Sequence, residues 1–228
     1  MFIKRTEDEG LNLMNRFTIR IALLFATLLY TQQSIEKERY NSLAFKGPKP
    51  SYTVYQLAIK GHQKLAHKLK KKHLLTIIDF SLPSTQKRLW ILNLKENKII
   101  EHSLVSHGRN TGEKLAKSFS NIPNSRQSSL GFYLTGKTYY GKHGFSLYLH
   151  GMEKGFNDKA LKRNIVIHGA DYVSFKFIKT YGRLGRSYGC PALPMEKHKA
   201  IIRTIADKSI LFIYYPEKNY LKHSKLIR

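Results

Sequence analysis

The sequence predicts a mainly β domain with a few flanking helices. Beyond residue 73, short apolar runs rich in β-branched and aromatic residues are separated by Gly, Pro, Asn and Ser. Along residues 145–149 small and large side chains alternate, which is typical of a half-buried strand. Two segments, at about 51–70 and 195–207, favour helices instead. Many strands with few helices indicate one mainly β domain.

The elements follow one another in an order that divides the chain into four parts. Strands are predicted at 74–80, 88–94, 99–106, 131–135, 145–150, 164–168 and 209–215, with a hairpin turn at 95–98. We assign residues 1–33 to a signal peptide or N-terminal anchor, 34–72 to a linker followed by an amphipathic helix, 73–216 to the β domain and 217–228 to a loose basic tail. The 228 residues, 42% of them apolar and 12% aromatic, suffice for one packed core, so a disordered or collagen-like chain is excluded.

The first 33 residues have the pattern of an export signal. Basic residues precede the uncharged apolar run 21–30, which at ten residues is too short to cross a bilayer but suits a signal peptide. Met14 is an alternative start that leaves a compact leader. Residues 30–33 lack the small residues of a cleavage site, so an uncleaved membrane anchor stays open as an alternative. We therefore expect a location in the periplasm or cell wall.

The charge balance points to an anionic partner. Forty Lys and Arg against 15 Asp and Glu give a formal charge of +25. Removing residues 1–33 takes away four basic and three acidic residues, which leaves +24. Such an excess favours nucleic acid, an acidic membrane or an acidic wall polymer. The one cysteine excludes an internal disulfide framework and a thiolate-rich metal site.

That lone residue, Cys190, lies in the stretch 182–191 (GRLGRSYGCP), where its neighbours suit a nucleophile better than a core position. Gly189 lets the backbone bend tightly and exposes amide hydrogens that would stabilise an oxyanion. Arg183 and Arg186 would favour a thiolate over a thiol. His168, at the end of a predicted strand, is a candidate base for that thiol.

This region resembles the L,D-transpeptidase catalytic domain (YkuD-like) family, and its murein L,D-transpeptidase branch in particular. The family signature is His-Gly, some twenty residues, then Ser-x-Gly-Cys, matched here by residues 168–169 and 187–190. The similarity runs from about residue 79 to residue 215 and includes DFSLPSTQKRLWILNL, SHGRNTGEKLAKSFSN, GKHGFSL, IVIHGADYVS and GRLGRSYGCPAL. It implies that 73–216 is a catalytic domain folded as a β-sandwich or open barrel.

The resemblance also implies a role for each matched residue. Cys190 would be the nucleophile, His168 its base and Ser187 the residue that orients the imidazole. The amides of Gly189 and Cys190 would form the oxyanion hole. No cofactor and no metal is implied.

Five residues are candidate substrate contacts, and some positions depart from the family pattern. Arg183 and Arg186 suit a carboxylate, because a guanidinium can bind one with two hydrogen bonds. Tyr188, Gly169 and His107 are the other candidates, His107 because of its place in SHGRNTG. Tyr188 stands where the broad family usually has His, Ala192 where it has Arg, and Ala170 where it has Thr or Ser, so the broad family's donor contacts do not carry over to these positions.

Several other classes of function fit part of the sequence. Residues 185–189 satisfy the G-x-S-x-G elbow of serine hydrolases, but no apolar strand precedes them and Pro191 follows closely. Histidines 107, 143, 150 and 168 have no partner at helical metal-site spacing. Nucleic-acid binding rests on charge alone. A non-catalytic wall-binding module is the main alternative outside the enzymes, and Cys190, His168 and Ser187 together argue against it.

The sequence therefore predicts an exported cysteine acyltransferase that acts on peptidoglycan stem peptides. By resemblance, an acyl-enzyme would form at the bond between a diamino acid and D-alanine. An amine on a second stem would resolve it in a transpeptidase, and water would resolve it in an L,D-carboxypeptidase. The N-terminal segment would be a membrane tether if it is retained.

Overall fold

The computed structural model describes residues 18–22, 24, 27 and 30–228, so the first 17 residues of the predicted leader lie outside the described residues. The chain divides into two compact units, Met1–Ser42 and Leu43–Arg228. In the first unit residues 30–41 are helical, so the expected linker 34–50 is helical over its first half. In the described part of the chain, no helix is long and apolar enough to cross a membrane.

The second unit contains four α-helices, two short 3₁₀-helices and eight strands among the residues described. The helices are α1 (Tyr52–Leu65), α2 (Phe175–Tyr181), α3 (His198–Ile205) and α4 (Lys218–His223). The strands are β1 (Leu74–Asp79), β2 (Leu89–Asn93), β3 (Lys98–Ser103), β4 (Gly131–Gly141), β5 (Gly144–Gly151), β6 (Val166–Gly169), β7 (Ala192–Leu193) and β8 (Ile210–Tyr214). The expected mainly β domain with a few helices is confirmed.

The strands form one sheet that nearly closes into a barrel. Their order is β3-β2-β1-β8-β4-β5-β6-β7. The β1–β8 and β6–β7 pairs are parallel and the other neighbours are antiparallel. Beyond β3, Ser106 makes an isolated bridge to Ala192 of β7, so the two edges of the sheet meet there. The open-barrel architecture implied by the resemblance is thus observed.

The core lies under the centre of this sheet. Every residue of β1 and β8 is buried, which matches their nearly continuous apolar sequence. The Phe132 and Phe212 rings stack with centroids 4.2 Å apart. Helix α1 covers them, because Gly61 has no Cβ and a Cβ there would collide with the Phe132 ring. The helix predicted at 51–70 is therefore part of the same unit as the strands.

The C-terminal segment is docked, and the expectation of a loose tail at 217–228 is wrong. Glu217 caps α4 by accepting hydrogen bonds from the backbone amides of Asn219 and Tyr220. Tyr220 is fully buried, and its hydroxyl donates to the buried Glu153 carboxylate at 2.9 Å. The Ser224 hydroxyl donates to the same carboxylate. The segment is basic, but its buried side chains, Tyr220, Ser224 and Ile227, fix its position.

The β4–β5 hairpin extends toward the functional site. The strand predicted at 131–135 continues to Gly141, and the chain turns through Lys142 and His143 into β5. Its outer half is polar and exposed, so alternation of apolar residues did not mark it. The tip of this hairpin lies next to His168, as described below.

Candidate active site

His168 lies next to the end of the buried strand β6, and its ring orientation is fixed by a backbone carbonyl. Its Nδ1 lies 2.9 Å from the Gly169 carbonyl oxygen. A carbonyl only accepts, so Nδ1 carries the proton and Nε2 keeps a free lone pair. Burial lowers the pKa of His168, and the neighbouring His143 adds to this effect. The neutral imidazole is thus the favoured form, with Nε2 available as a base.

Cys190 lies in the loop before β7 and presents a thiol, not a thiolate. Its Sγ is 3.6 Å from the Asn164 carbonyl oxygen, to which the thiol donates. Burial raises the pKa of the Cys190 thiol; the Val166 backbone hydrogen bond and the positive charge of Arg163 oppose that rise only in part. The expectation that Arg183 and Arg186 favour a thiolate is wrong, because Arg163 is the cation that acts on the sulfur.

Ser187 shapes the turn that holds Cys190. Its Oγ donates to the Cys190 carbonyl at 2.6 Å and accepts from the Gly189 amide at 3.0 Å. The imidazole of His168 is oriented by the Gly169 carbonyl instead, so the role expected for Ser187 is wrong. The expected two-amide oxyanion hole is also incomplete, because the Gly189 amide is already bonded. In the described part of the chain the Cys190 amide has no acceptor.

Glycine is required at position 189. Its φ of 124° lies in the region that disfavours side chains. A Cβ there would lie 2.8 Å from the Gln127 carbonyl oxygen and 3.0 Å from Ile165 Cδ1. The tight packing around Gly189 fixes the backbone that carries Cys190.

The SHGRNTG segment supports this loop from behind through His107, and only its Arg109 lines the cleft described below. His107 is 1% exposed, so the expectation that it contacts substrate is wrong. The buried Arg88 donates to its Nδ1 at 2.8 Å, and burial with that charge lowers the pKa of His107 to about 3. Its carbonyl accepts from the Ser187 amide at 3.1 Å. His107 therefore belongs to the frame of the loop.

Gly169, another expected substrate contact, is buried as well. A Cβ at this position would lie 2.7 Å from both Met195 Sδ and the His198 ring. The residue allows β6 to approach the segment before α3, and its carbonyl orients His168. It is part of the support of the base and lies outside the lining of the cleft.

Cys190 and His168 line one cleft of about 900 Å³. Of the other expected residues, Ser187, Tyr188, Arg183 and Arg186 line it too. Its walls also contain aromatic side chains that the sequence did not single out: Tyr139, Tyr148, Tyr172 and Phe177. A cleft of this size with aromatic walls suits an extended ligand such as a peptide.

The two arginines expected to bind a carboxylate already share one. Arg183 Nε is 2.8 Å from a Glu113 oxygen, and Arg186 pairs with the other oxygen of the same carboxylate. Arg186 also donates to the carbonyls of Arg109 and Gly112 at 3.1 and 3.2 Å. Both side chains hold the 109–113 segment against the loop, and a ligand carboxylate would compete with Glu113 for them.

Two further residues lie near His168 and Cys190: His143, which the sequence offered only as one of four histidines, and Arg163, which it did not single out. His143, at the tip of the β4–β5 hairpin, stacks on the His168 ring with centroids 4.4 Å apart. Arg163 precedes β6 and lies close enough to the loop that its Nη2 would be 3.4 Å from a Cβ on Gly189. The basic pair Lys162-Arg163 just before the strand that ends at His168 was the available sign.

A family model described as the L,D-transpeptidase catalytic domain matches residues 46–214. The chain belongs to this family. The match includes α1, β1 to β8 and the whole cleft, so the resemblance drawn from the two short motifs is confirmed over most of the chain. A comparison with curated protein sequences gives no match.

Solved structures of L,D-transpeptidases and of a cell shape determining protein are similar to this chain at low identity. An L,D-transpeptidase from Mycobacterium smegmatis is 8% identical, with 63% of this chain and 59% of that one covered and a TM-score of 0.39. L,D-transpeptidase 3 from Mycobacterium tuberculosis is 9% identical, with 63% and 61% covered and a TM-score of 0.39. The cell shape determining protein Pgp2 from Campylobacter jejuni is 16% identical, with 74% and 58% covered and a TM-score of 0.38. This chain spans about six tenths of the length of each.

Within this L,D-transpeptidase domain the arrangement suits acyl transfer by a neutral pair. A thiol that stays protonated until substrate binds needs a base, and a neutral imidazole with a free Nε2 in the same cleft supplies one. Across the residues that the structure describes, three or more His, Cys, Asp or Glu side chains nowhere come together as a metal site would require.

Proposed function

We propose that this chain is a peptidoglycan L,D-transpeptidase with Cys190 as nucleophile and His168 as general base. The observation that carries the proposal is the placement of both side chains in one cleft, with the imidazole fixed by Gly169 so that Nε2 is free. Family membership supports the reaction class. The substrate would be a stem peptide, attacked at the carbonyl between its diamino acid and the following D-alanine.

The reaction would have two halves. In the first, His168 takes the thiol proton while Sγ attacks the carbonyl, and the imidazolium then protonates the departing amine of D-alanine. The Cys190 amide would donate to the oxyanion, and the charge of Arg163 would favour it further. In the second half an amine from another stem attacks the thioester, which gives the cross-link and restores the thiol.

The charge and the leader support a substrate outside the cytoplasm. An acidic wall polymer would be concentrated near a surface of +25, which raises the rate of encounter without a role in the chemistry. We propose that residues 1–33 direct export to the periplasm or wall, either as a cleaved signal or as a retained tether. An alkaline phosphatase fusion at about residue 60 that stayed inactive in a bacterial host would contradict export.

The test is mass spectrometry of muropeptides after incubation with the purified full-length chain. We expect loss of D-alanine and new cross-linked products with the wild type and neither with Cys190→Ala. A product that is shortened by one residue and never cross-linked would make the enzyme an L,D-carboxypeptidase. Equal processing by Cys190→Ala would overturn the cysteine mechanism, and wall binding without any processing would favour the non-catalytic module.

A further inference from the structure

A second, smaller cavity adjoins the main cleft beside the nucleophile. It has a volume of about 340 Å³ and shares Arg163, Asn164 and Tyr188 with the main cleft. The Asn164 carbonyl oxygen is the atom 3.6 Å from Cys190 Sγ. The small cavity therefore begins at a residue that contacts the reacting sulfur.

Three cations and no carboxylate line this small cavity among the residues described. The cations are Arg126, Lys162 and Arg163. None of the three takes part in an ion pair with a described acidic residue. The Arg126 guanidinium lies over the Tyr188 ring, 4.8 Å from its centroid, which leaves its charge unneutralised.

Arg163 is half-buried and is satisfied only by neutral oxygens. It donates to the carbonyls of Ser120 and Gln127 and to the hydroxyls of Ser125 and Ser129. Its position is thus fixed by the fold while its charge has no counterion. A cation held in this way attracts an anionic ligand without first having to be ordered.

Two arginines of the main cleft differ in this respect, because Arg183 and Arg186 already share the Glu113 carboxylate. An anionic group of a ligand would compete with Glu113 for these two arginines, whereas no described carboxylate lines the small cavity. The volumes differ in the same sense, since about 900 Å³ suits a peptide and about 340 Å³ suits one amino acid.

We propose that the small cavity binds the carboxylate of the group on the amine side of the scissile bond. The inference rests on the proposed function. The departing D-alanine carries its amine and its carboxylate on the same carbon, so the carboxylate lies close to the breaking bond. In the second half-reaction the attacking amine approaches from the side on which D-alanine departed. An acceptor with a carboxylate beside its amine would therefore use the same site.

The step that this site assists is balanced without any further reactant. The acceptor nitrogen attacks the thioester carbonyl, the new C–N bond forms and the C–S bond breaks with its electron pair on sulfur. The proton released by the nitrogen passes through His168 to Sγ and restores the thiol. Water as acceptor carries no carboxylate and gains nothing from the cavity.

The test compares two donor peptides with the full-length chain. One is a stem tetrapeptide that ends in free D-alanine, and the other has the same sequence with a C-terminal amide. We expect the wild type to release D-alanine with a kcat/KM about tenfold or more above that for D-alaninamide, as for a charge-assisted hydrogen bond. In Arg126→Gln and Lys162→Gln this preference should fall severalfold, because kcat/KM for the peptide with the free carboxylate falls while that for the amidated peptide does not change.

Lys159→Gln is the matched control, because it removes one exposed positive charge from the same segment outside both cavities. It should keep the wild-type preference. If the cavity variants slow both peptides equally, or behave as Lys159→Gln does, the inference is overturned while the proposed function stands. If the wild type releases neither product, the proposed function is wrong and the inference falls with it. Thermal unfolding of each variant checks that the fold is retained.

Discussion

At the level of single residues, burial sets the protonation of the reacting pair. It lowers the pKa of His168 and raises that of Cys190, so both groups are neutral around pH 7. An enzyme that relies on a preformed thiolate and imidazolium has the opposite arrangement. The proton of Cys190 therefore has to leave during the attack, which makes the base more important than the nearby arginines.

Two substitutions distinguish the role of the proposed base from that of the residue that shapes the loop. His168→Ala should lower turnover of a stem peptide by roughly 10²–10⁴-fold, as expected for the loss of a general base. Ser187→Ala should keep measurable turnover and lower the melting temperature, because Ser187 bonds only the loop backbone. Steady-state kinetics with thermal unfolding checks both. An inactive Ser187→Ala of unchanged stability would point to Ser187 as the nucleophile.

The pH dependence of alkylation tests the neutral pair directly. Since the pKa of the thiol is raised above its ordinary value of 9.0, iodoacetamide should react slowly at about pH 6.5 and faster through pH 9 and beyond. The rate of peptide turnover should rise with pH through the lowered pKa of His168, below 6.5, where the base becomes neutral. Cys190→Ala is the control for the label. A fast, pH-independent reaction from pH 6 upward would show a resting thiolate.

The proposed nucleophile and base can be recognised in the sequence, and their contacts cannot. The spacing of His168 and Cys190 and the glycine before Cys190 carry chemical information along the chain. The partner of the imidazole is a backbone carbonyl, which every residue possesses and no motif marks. Arg163 lies 27 positions before Cys190, on whose thiol its charge acts. His107 can be told from a groove-lining residue only by its burial, which the sequence does not show.

Among the secondary-structure elements, the buried strands were the most predictable. Apolar runs placed β1, β2 and β8 within a residue or two of their observed bounds. Helix α2 was missed because it is only seven residues long and none of its residues is fully buried, so its apolar spacing is too short to stand out. Its Ser174 cap, which accepts from the Phe177 amide, was a local sign.

The docking of α4 makes a measurable contribution to stability. Tyr220→Ala should lower the free energy of unfolding by about 3–5 kcal/mol, because a buried aromatic ring is lost and Glu153 loses a donor. Tyr220→Phe keeps the ring and should cost about 1–3 kcal/mol for the lost hydrogen bond to the buried carboxylate. Denaturant unfolding measures both, with Lys222→Ala as an exposed control. Equal stability of Tyr220→Ala and the control would mean that the segment is loose after all.

On the scale of the whole molecule, the positive charge should appear in the kinetics as a dependence on salt. Surface charges act over a screening length of about 10 Å at 0.1 M salt, which shrinks to roughly 3 Å at 1 M. We expect kcat/KM on intact anionic wall material to fall severalfold between 0.05 and 0.5 M NaCl. A short stem peptide without net charge is the control and should respond much less. Equal salt dependence of the two substrates would show that the charge does not guide encounter.

The place of β8 in the sheet has a consequence for how the protein is made. This strand lies between β1 and β4 in the middle of the sheet, yet it is the last strand to leave the ribosome. Until about residue 214 has been synthesised, β1 and β4 lack a common neighbour and the two halves of the sheet cannot join. Pairing across such a long stretch of chain is slow, so the complete sheet forms only after most of the chain has been synthesised. A chain whose sheet is still incomplete would be threaded more readily by a translocation channel, and a prematurely terminated one would be open to proteolysis.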